Sequence, residues 1–349
     1  MTKFEGILMG MGNPLLDISA VVPNDILTKY GVVVDSAILA EEKHQPVYQE
    51  LVDNYNPQFI AGGATQNSIR VAQWMLSSSS GNVTSGQTAF MGSVGIDEYG
   101  TKLAECATAD GVLVHYQKDP TTPTGTCACL INDQGERALI ANLAAANNFK
   151  PTHLETDLAK QIIQSAKYYY MAGFFLTVSV ESLVQVAEHA VQENKTVCLN
   201  LSAPFIVDFF GDALATAMPY ADFLFGNESE AAAYAAKHGL GTDLKEVALQ
   251  VAALPKTNAA RPRVVVFTQG SKSTLVAVDG AVTEFPVEPL EPSKLVDTNG
   301  AGDAFVGGFL SQLVQGKPLA ECVHAGHWAA RTIIQTSGTQ LPATCEFSN

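Results

Sequence analysis

The chain predicts an α/β fold: a large, mostly parallel sheet flanked by helices on both faces, with a smaller β-rich unit attached. Apolar strand-like runs and segments of helical period alternate through most of the 349 residues. A parallel sheet covered on both sides is the economical packing for such runs. Two stretches, 17–63 and 124–141, break the alternation and together make a small sheet joined to the larger unit by several crossings.

GILMGMG (6–12) reads as the opening strand. Residues 17–63 contain AVVPN, the valine run Val32–Val34 and the approach QFIAGG to Gly62–Gly63, with weaker helical periodicity than their surroundings. ATQNSIRVAQWML (64–76) is a helix, SSSSGN (77–82) a surface loop, TAFMGSVG (88–95) a strand with its loop, and EYGTKLAECATAD (98–110) a helix. TGTCACLINDQGERALIA (124–141) reads as two strands around an NDQG turn. Then come AKYYYMAG (166–173), a helix over 179–192, KTVCLNLS (195–202), ADFLFGN (221–227), a helix over 228–237 and RPRVVVFTQG (261–270). Helices over about 301–314 and 318–335 follow, the first opening directly after Gly300.

Twenty Lys and Arg against 35 Asp and Glu give a net charge of −15, and no basic run tracks a phosphate backbone. Nucleic-acid polymers and anionic membranes are therefore poor partners, whereas a small phosphorylated ligand held by backbone N–H groups remains compatible. The six cysteines are scattered; only Cys127 and Cys129 are close, on one face of a strand, and they make no zinc pattern. With no signal-like start and no long apolar run, the expected compartment is cytoplasmic, with access to the nucleus. Three short matches to the glycosylation pattern, at Asn82, Asn194 and Asn227, are discounted on this ground.

The densest chemistry lies in DTNGAGDAFVGGF (297–309). Gly300 and Gly302 permit unusual backbone angles and close approach, and a helix start leaves N–H groups that attract phosphate oxygens. Asp303 lies in that first turn, where it could accept a proton from an attacking hydroxyl. The same residues also fit an aspartate capping its own helix, and the pattern is neither a P-loop nor a G-x-G-x-x-G turn. His324 and His327 are three apart on a helix, without a third ligand near them.

From this corner the sequence resembles the ribokinase-like carbohydrate and nucleoside kinases, and within them the eukaryotic branch that phosphorylates adenosine. The resemblance runs in order through GMGNPLLDISA (10–20), AGGATQNS (61–68), PTGTCACLI (123–131), LIANLAAAN (139–147), AGFFLTVS (172–179), LNLSAPF (199–205), LFGNESEAA (224–232) and DTNGAGDAFVGGFLSQLV (297–314). It implies a ribokinase-like large domain over 1–16, 68–119 and 142–349. The lid would comprise 17–67 and a hairpin at 120–141.

The implied activity is transfer of the ATP γ-phosphoryl group to the adenosine 5′-hydroxyl, with Mg²⁺, by a monomer. Asp303 would be the base and the N–H groups of Gly300, Ala301 and Gly302 the anion hole. Arg137, in the lid hairpin, would swing over the phosphates. Asp17 would bind the ribose diol, helped by Asn13, Gly63 and Asn67; a carboxylate accepts both hydroxyl hydrogens. Leu39, Leu130, Ala138 and Phe174 would wall the adenine, although the residues themselves leave open which of Phe174 and Phe175 faces the base. Asn227 and Glu230 would stand near magnesium, through water. Thr268, Gly270, His324 and Ala325 would border the nucleotide donor. A kinase for another nucleoside or sugar, or a nucleotide-binding regulator without turnover, is the alternative.

Overall fold

The computed structural model describes residues 6–34, 36–79, 86–134 and 136–347. Among them the large sheet has nine strands. From one edge to the other they are Ala281–Phe285, Lys272–Val278, Val264–Gln269, Phe223–Asn227, Thr196–Asn200, Tyr168–Ala172, Leu8–Met11, Thr88–Gly95 and Leu113–Asp119. Pairing is parallel from Val264–Gln269 through Leu113–Asp119, and the first three strands form an antiparallel meander. The central strands are buried along nearly their whole length, which explains their unbroken apolar runs. The helix Val180–Gln192 covers one face, and Ala64–Ser79 with Ala301–Leu313 the other.

The small sheet runs Ser36–Leu39, Arg137–Asn142, Thr126–Ile131, Leu15–Val21 and Gln58–Gly62. Thr126–Ile131 and Arg137–Asn142 pair antiparallel around the NDQG turn, as expected. Its outer face packs on two helices, Asn24–Tyr30 and Pro46–Asn54, through Ile26, Leu27, Tyr30, Val47, Tyr48 and Leu51. The weak periodicity over 17–63 conceals these helices because each is short, presenting one or two turns of apolar residues.

The Ala64–Ser79 helix continues through 77–79, where a loop was expected; residues 80–82 lie outside the described residues. Among the described residues, no helix is long and apolar enough to cross a membrane.

The Ala301–Leu313 helix is buried from Ala304 to Leu313 and packs on Ala64–Ser79 and Leu319–Ile333. Gly308 makes that approach possible: a Cβ there would overlap the Ala325 carbonyl and lie 2.8 Å from the Ala329 Cβ. This packing rigidly fixes the helix start, and Asp303 with it, outside the carboxyl ends of the parallel strands, where ligands bind in open α/β sheets.

Candidate active site

A cavity of about 370 Å³ opens at the carboxyl ends of Thr196–Asn200, Phe223–Asn227 and Val264–Gln269. Asp303, Gly302, Gly300, Asn299, Glu230, Asn227, Thr268, Asn200, Ser202 and Phe174 line it, together with apolar groups such as Val266 and Phe305. No lysine, arginine or histidine is among the lining residues.

Gly300 is the N-cap of the Ala301–Leu313 helix, at φ 77, and no side chain caps it. The left-handed angle favours glycine, and a Cβ there would lie 2.5 Å from Thr339 Oγ1. The Ala301 N–H donates to the Thr298 carbonyl at 3.2 Å and the Ala304 N–H to the Gly300 carbonyl at 2.8 Å. Ala301 is thereby removed from the expected anion hole, because its donor closes the turn. The N–H groups of Gly300, Gly302 and Asp303 have no protein acceptor among the described residues.

The loop entering this corner is tied by Asp297. Its Oδ1 accepts from the Asn299 N–H at 3.0 Å and its Oδ2 from the Gly338 N–H at 3.0 Å. Burial pushes the Asp303 carboxyl up to about 7, and neighbouring Glu230 adds to the rise; a hydrogen bond from Asn67 Nδ2, 3.1 Å from Oδ2, opposes it. A base that titrates near neutrality is well matched to proton transfer.

Across the cavity, Asn227 caps the Glu228–His238 helix. Its Oδ1 accepts from the N–H groups of Ser229 and Glu230, both at 2.9 Å, and Glu230 Oε2 accepts from the Asn227 N–H at 2.9 Å. Burial pushes Glu230 up to about 7 despite that bond. The expected pair therefore sits in the cavity as a completed capping box, with Asn227 Oδ1 already engaged twice.

The residues expected to hold a nucleoside are Asn13, Asp17, Gly63, Asn67 and Phe174. Asn13 Nδ2 donates to the Phe174 carbonyl at 3.3 Å, while its buried Oδ1 has no partner among the described residues. Gly63, at φ 93, packs directly on the Asn13 carbonyl, leaving no room for a Cβ. Burial pushes Asp17 up to about 7; Arg70 pulls it down, Asp303 pushes it up, and Arg137 and Asp297 contribute with opposite signs. Phe174 lines the cavity, whereas Phe175 is fully buried in the core.

The small sheet corrects two assignments. Leu130 and Ala138 are fully buried in its own core with Ile18, Ala128 and Ile140. The alternate residues share the face that carries Asp17: Cys127 pairs with Asp17, Cys129 with Ser19, and Leu139 and Ala141 oppose Cys129 and Cys127. Leu39 lies opposite Ala141 and is 58% exposed.

Arg137 is corrected in a different way. Its Nη1 pairs with Asp297 Oδ2 at 2.7 Å, both side chains being at most 5% exposed, and its Nη2 bonds Ser337 Oγ. It is not among the cavity-lining residues. The arginine thus fastens the Arg137–Asn142 strand to the loop before Gly300 and lies away from the cavity.

A profile of the pfkB family carbohydrate kinases matches residues 26–345. The chain belongs to this family. It is 52% identical over 349 residues to adenosine kinase 1 of Arabidopsis thaliana, covering 99% of each chain. The crystal structure of Anopheles gambiae adenosine kinase in complex with P1,P4-di(adenosine-5) tetraphosphate is 51% identical and superposes with a TM-score of 0.87, covering 96% of this chain and 97% of that one. Adenosine kinase from Schistosoma mansoni in complex with adenosine and AMP is 32% identical, with a TM-score of 0.86 and coverage of 98% and 99%.

Within this pfkB family chain, the donor-side assignments divide. Thr268 lines the cavity, its Oγ1 3.5 Å from the Gly226 carbonyl. Gly270 lies outside it, at φ 56 in the exposed turn before Lys272–Val278. His324 is exposed and its ring lies 5.8 Å from that of Phe347. Ala325 is fully buried against Gly308, so it is a helix-packing residue and not a ligand contact.

Sequence reasoning missed Asn200 and Ser202 as cavity residues, Asp297 as the loop anchor, and Arg70, whose Nη1 meets Asn67. The signal available for Asn200 and Ser202 was their position at a strand's carboxyl end, in the motif LNLSAPF.

Proposed function

We propose that this chain transfers the γ-phosphoryl group of ATP to the 5′-hydroxyl of adenosine, giving AMP and ADP and so recovering a purine nucleoside as a nucleotide. The observation that carries this reading is the uncapped helix start at Gly300 with Asp303 in its first turn, facing a cavity that also holds Glu230. The full-length similarity to adenosine kinases supports adenosine as the acceptor.

Asp303 accepts the proton of the 5′-hydroxyl as its oxygen attacks the phosphorus. The N–H groups of Gly302 and Asp303, with that of Gly300, receive the charge that develops on the transferred group. Asp17 takes the ribose diol, the unpaired Asn13 Oδ1 accepts a ribose hydroxyl, and Phe174 supplies an apolar wall. The lid face bearing Asp17, Cys127 and Leu139 excludes water, so that transfer outruns hydrolysis.

A magnesium ion fits this site. Two acids, Asp303 and Glu230, line the cavity, with no basic side chain among the lining residues to meet polyphosphate charge. Glu230 would hold the ion through water, and the ion would neutralise the phosphate oxygens during transfer. The site is assembled from one chain, so a monomer suffices. The thiols of Cys106, Cys127, Cys129, Cys198 and Cys322 suit a reducing compartment such as the cytoplasm.

The test is ATP- and Mg²⁺-dependent phosphorylation, following AMP and ADP together, with inosine, ribose and 2′-deoxyadenosine as comparison acceptors. Adenosine is expected to be preferred. Robust transfer to another acceptor alone would correct the substrate, and transfer to none by a folded, nucleotide-binding protein would contradict the reading.

A further inference from the structure

We propose that Arg70 is a positioning residue for Asp303, acting through the side-chain amide of Asn67. The proposal rests on the phosphoryl-transfer reading given above. Arg70 lies on the Ala64–Ser79 helix, one turn after Asn67, and is only 4% exposed. Its Nη1 donates to Asn67 Oδ1 at 3.3 Å, and Asn67 Nδ2 donates to Asp303 Oδ2 at 3.1 Å.

An asparagine amide has a donor end and an acceptor end of nearly equal size, so packing alone does not choose its orientation. Here the choice is forced from both sides. A guanidinium only donates, so it holds the carbonyl end; the NH₂ end is left for the carboxylate. The reversed amide would set its oxygen against Asp303 and its NH₂ against Arg70, losing both bonds. Asp303 Oδ2 therefore meets a fixed donor, and Oδ1 is kept for the acceptor hydroxyl.

The remaining contacts of Arg70 hold the guanidinium itself. Nε donates to Asp110 at 2.6 Å, and Nη1 also donates to the carbonyls of Ala61 at 2.6 Å and Thr339 at 3.2 Å. Ala61 belongs to the lid strand Gln58–Gly62, and Thr339 stands beside Gly300. One planar fork thus ties the lid strand, the Asn67 amide and the segment behind the anion-binding turn. A lysine ammonium could approach the three acceptors of Nη1 but could not also keep the Nε bond to Asp110.

The test is a double-mutant cycle read in kcat and KM. Arg70→Gln and Asn67→Ala are each expected to lower kcat about 10- to 100-fold, the scale of a misplaced catalytic group, with the KM for ATP changed far less. The double variant should be no slower than the slower single one, within about threefold, because both act on one contact. Losses that multiply would overturn the proposal, as would a lower melting temperature at unchanged kcat. Arg70→Lys, which keeps the charge and folds more readily, should fall between wild type and Arg70→Gln.

A second readout needs no turnover. The side-chain ¹⁵N amide signal of Asn67, identified by its loss in Asn67→Ala, is expected to shift in both Asp303→Asn and Arg70→Gln. A shift with the first and none with the second would overturn the proposal. Absence of wild-type turnover would count against the kinase reading, while the amide signal would still decide the contact.

Discussion

Two helix starts face each other across one cavity, and they are finished in opposite ways. At Asn227 the first turn is closed by its own side chains: Asn227 and Glu230 satisfy each other's backbone donors. At Gly300 no side chain caps the helix, and the N–H groups of Gly302 and Asp303 are left without a protein acceptor among the described residues. Capping stabilises a helix by about 1 kcal/mol. Forgoing that cap on a deeply buried helix is sensible where the open donors serve an incoming anion. The closed start presents a carboxylate to the cavity, and the open one presents donors and a base.

The comparison breaks first at Asp303. Asp303→Asn is expected to lower kcat by about 10³-fold, within the range for loss of a positioned base, while adenosine binding, measured calorimetrically, changes little. It should also stabilise the ligand-free protein above neutrality. The folded carboxyl is raised from 3.8 to about 7, so the folded state holds its proton more tightly than the unfolded state does. This acid therefore makes stability fall as pH rises from about 4 through about 7. Thermal melts across that window should show a shallower fall for the variant and a higher Tm at pH 8. For wild type, kcat/KM should rise through neutrality as the two raised carboxyls, Asp17 and Asp303, ionise; the Asp303 charge adds to the rise at Asp17, and Glu230 to that at Asp303.

Arg137→Ala sharpens the account of what holds the open start. It leaves Asp297 buried without its cation and should cost about 3 kcal/mol or more, read by chemical denaturation. Slower phosphoryl transfer should follow, because Asp297 also holds the Asn299 N–H beside Gly300. Gly300→Ala comes next, at about 1–2 kcal/mol for a left-handed residue with its Cβ against Thr339, with reduced kcat as the second readout. Asn227→Ala is the smallest effect: about 1 kcal/mol of stability lost with the cap, and a fall in kcat at least tenfold smaller than that of Asp303→Asn. A larger loss at Asn227 than at Asp303 would reverse the roles assigned to the two corners.

Much of the architecture was legible because buried parallel strands leave apolar runs such as TAFMGSVG, whose strand covers all of Thr88–Gly95, including the part expected as its loop. The loop-to-helix corner was legible because left-handed and closely packed backbone demands glycine. The lid register was not legible. Thr126–Ile131 is buried on both faces, so apolar character could not say whether Cys129 or Leu130 faces the cleft; its neighbours across the sheet decide that.

Arg70 and Asp297 were missed for another reason. A lone arginine on a helix reads as surface, and only the tertiary arrangement brings Ala61, Asn67 and Thr339 around it. Arg137 was assigned to phosphate from the family resemblance, but its buried partner lies 160 residues later in the chain, beyond any local pattern.

The measurement that tests the central claim most directly is simultaneous quantification of AMP and ADP formed from adenosine and ATP by wild type, Asp303→Asn and Asn227→Ala at equal folded concentration. One AMP per ADP in wild type, near-complete loss in Asp303→Asn and substantial retention in Asn227→Ala is the expected result. Equal AMP formation by wild type and Asp303→Asn would contradict it, because the open helix start would then hold no base for the transfer.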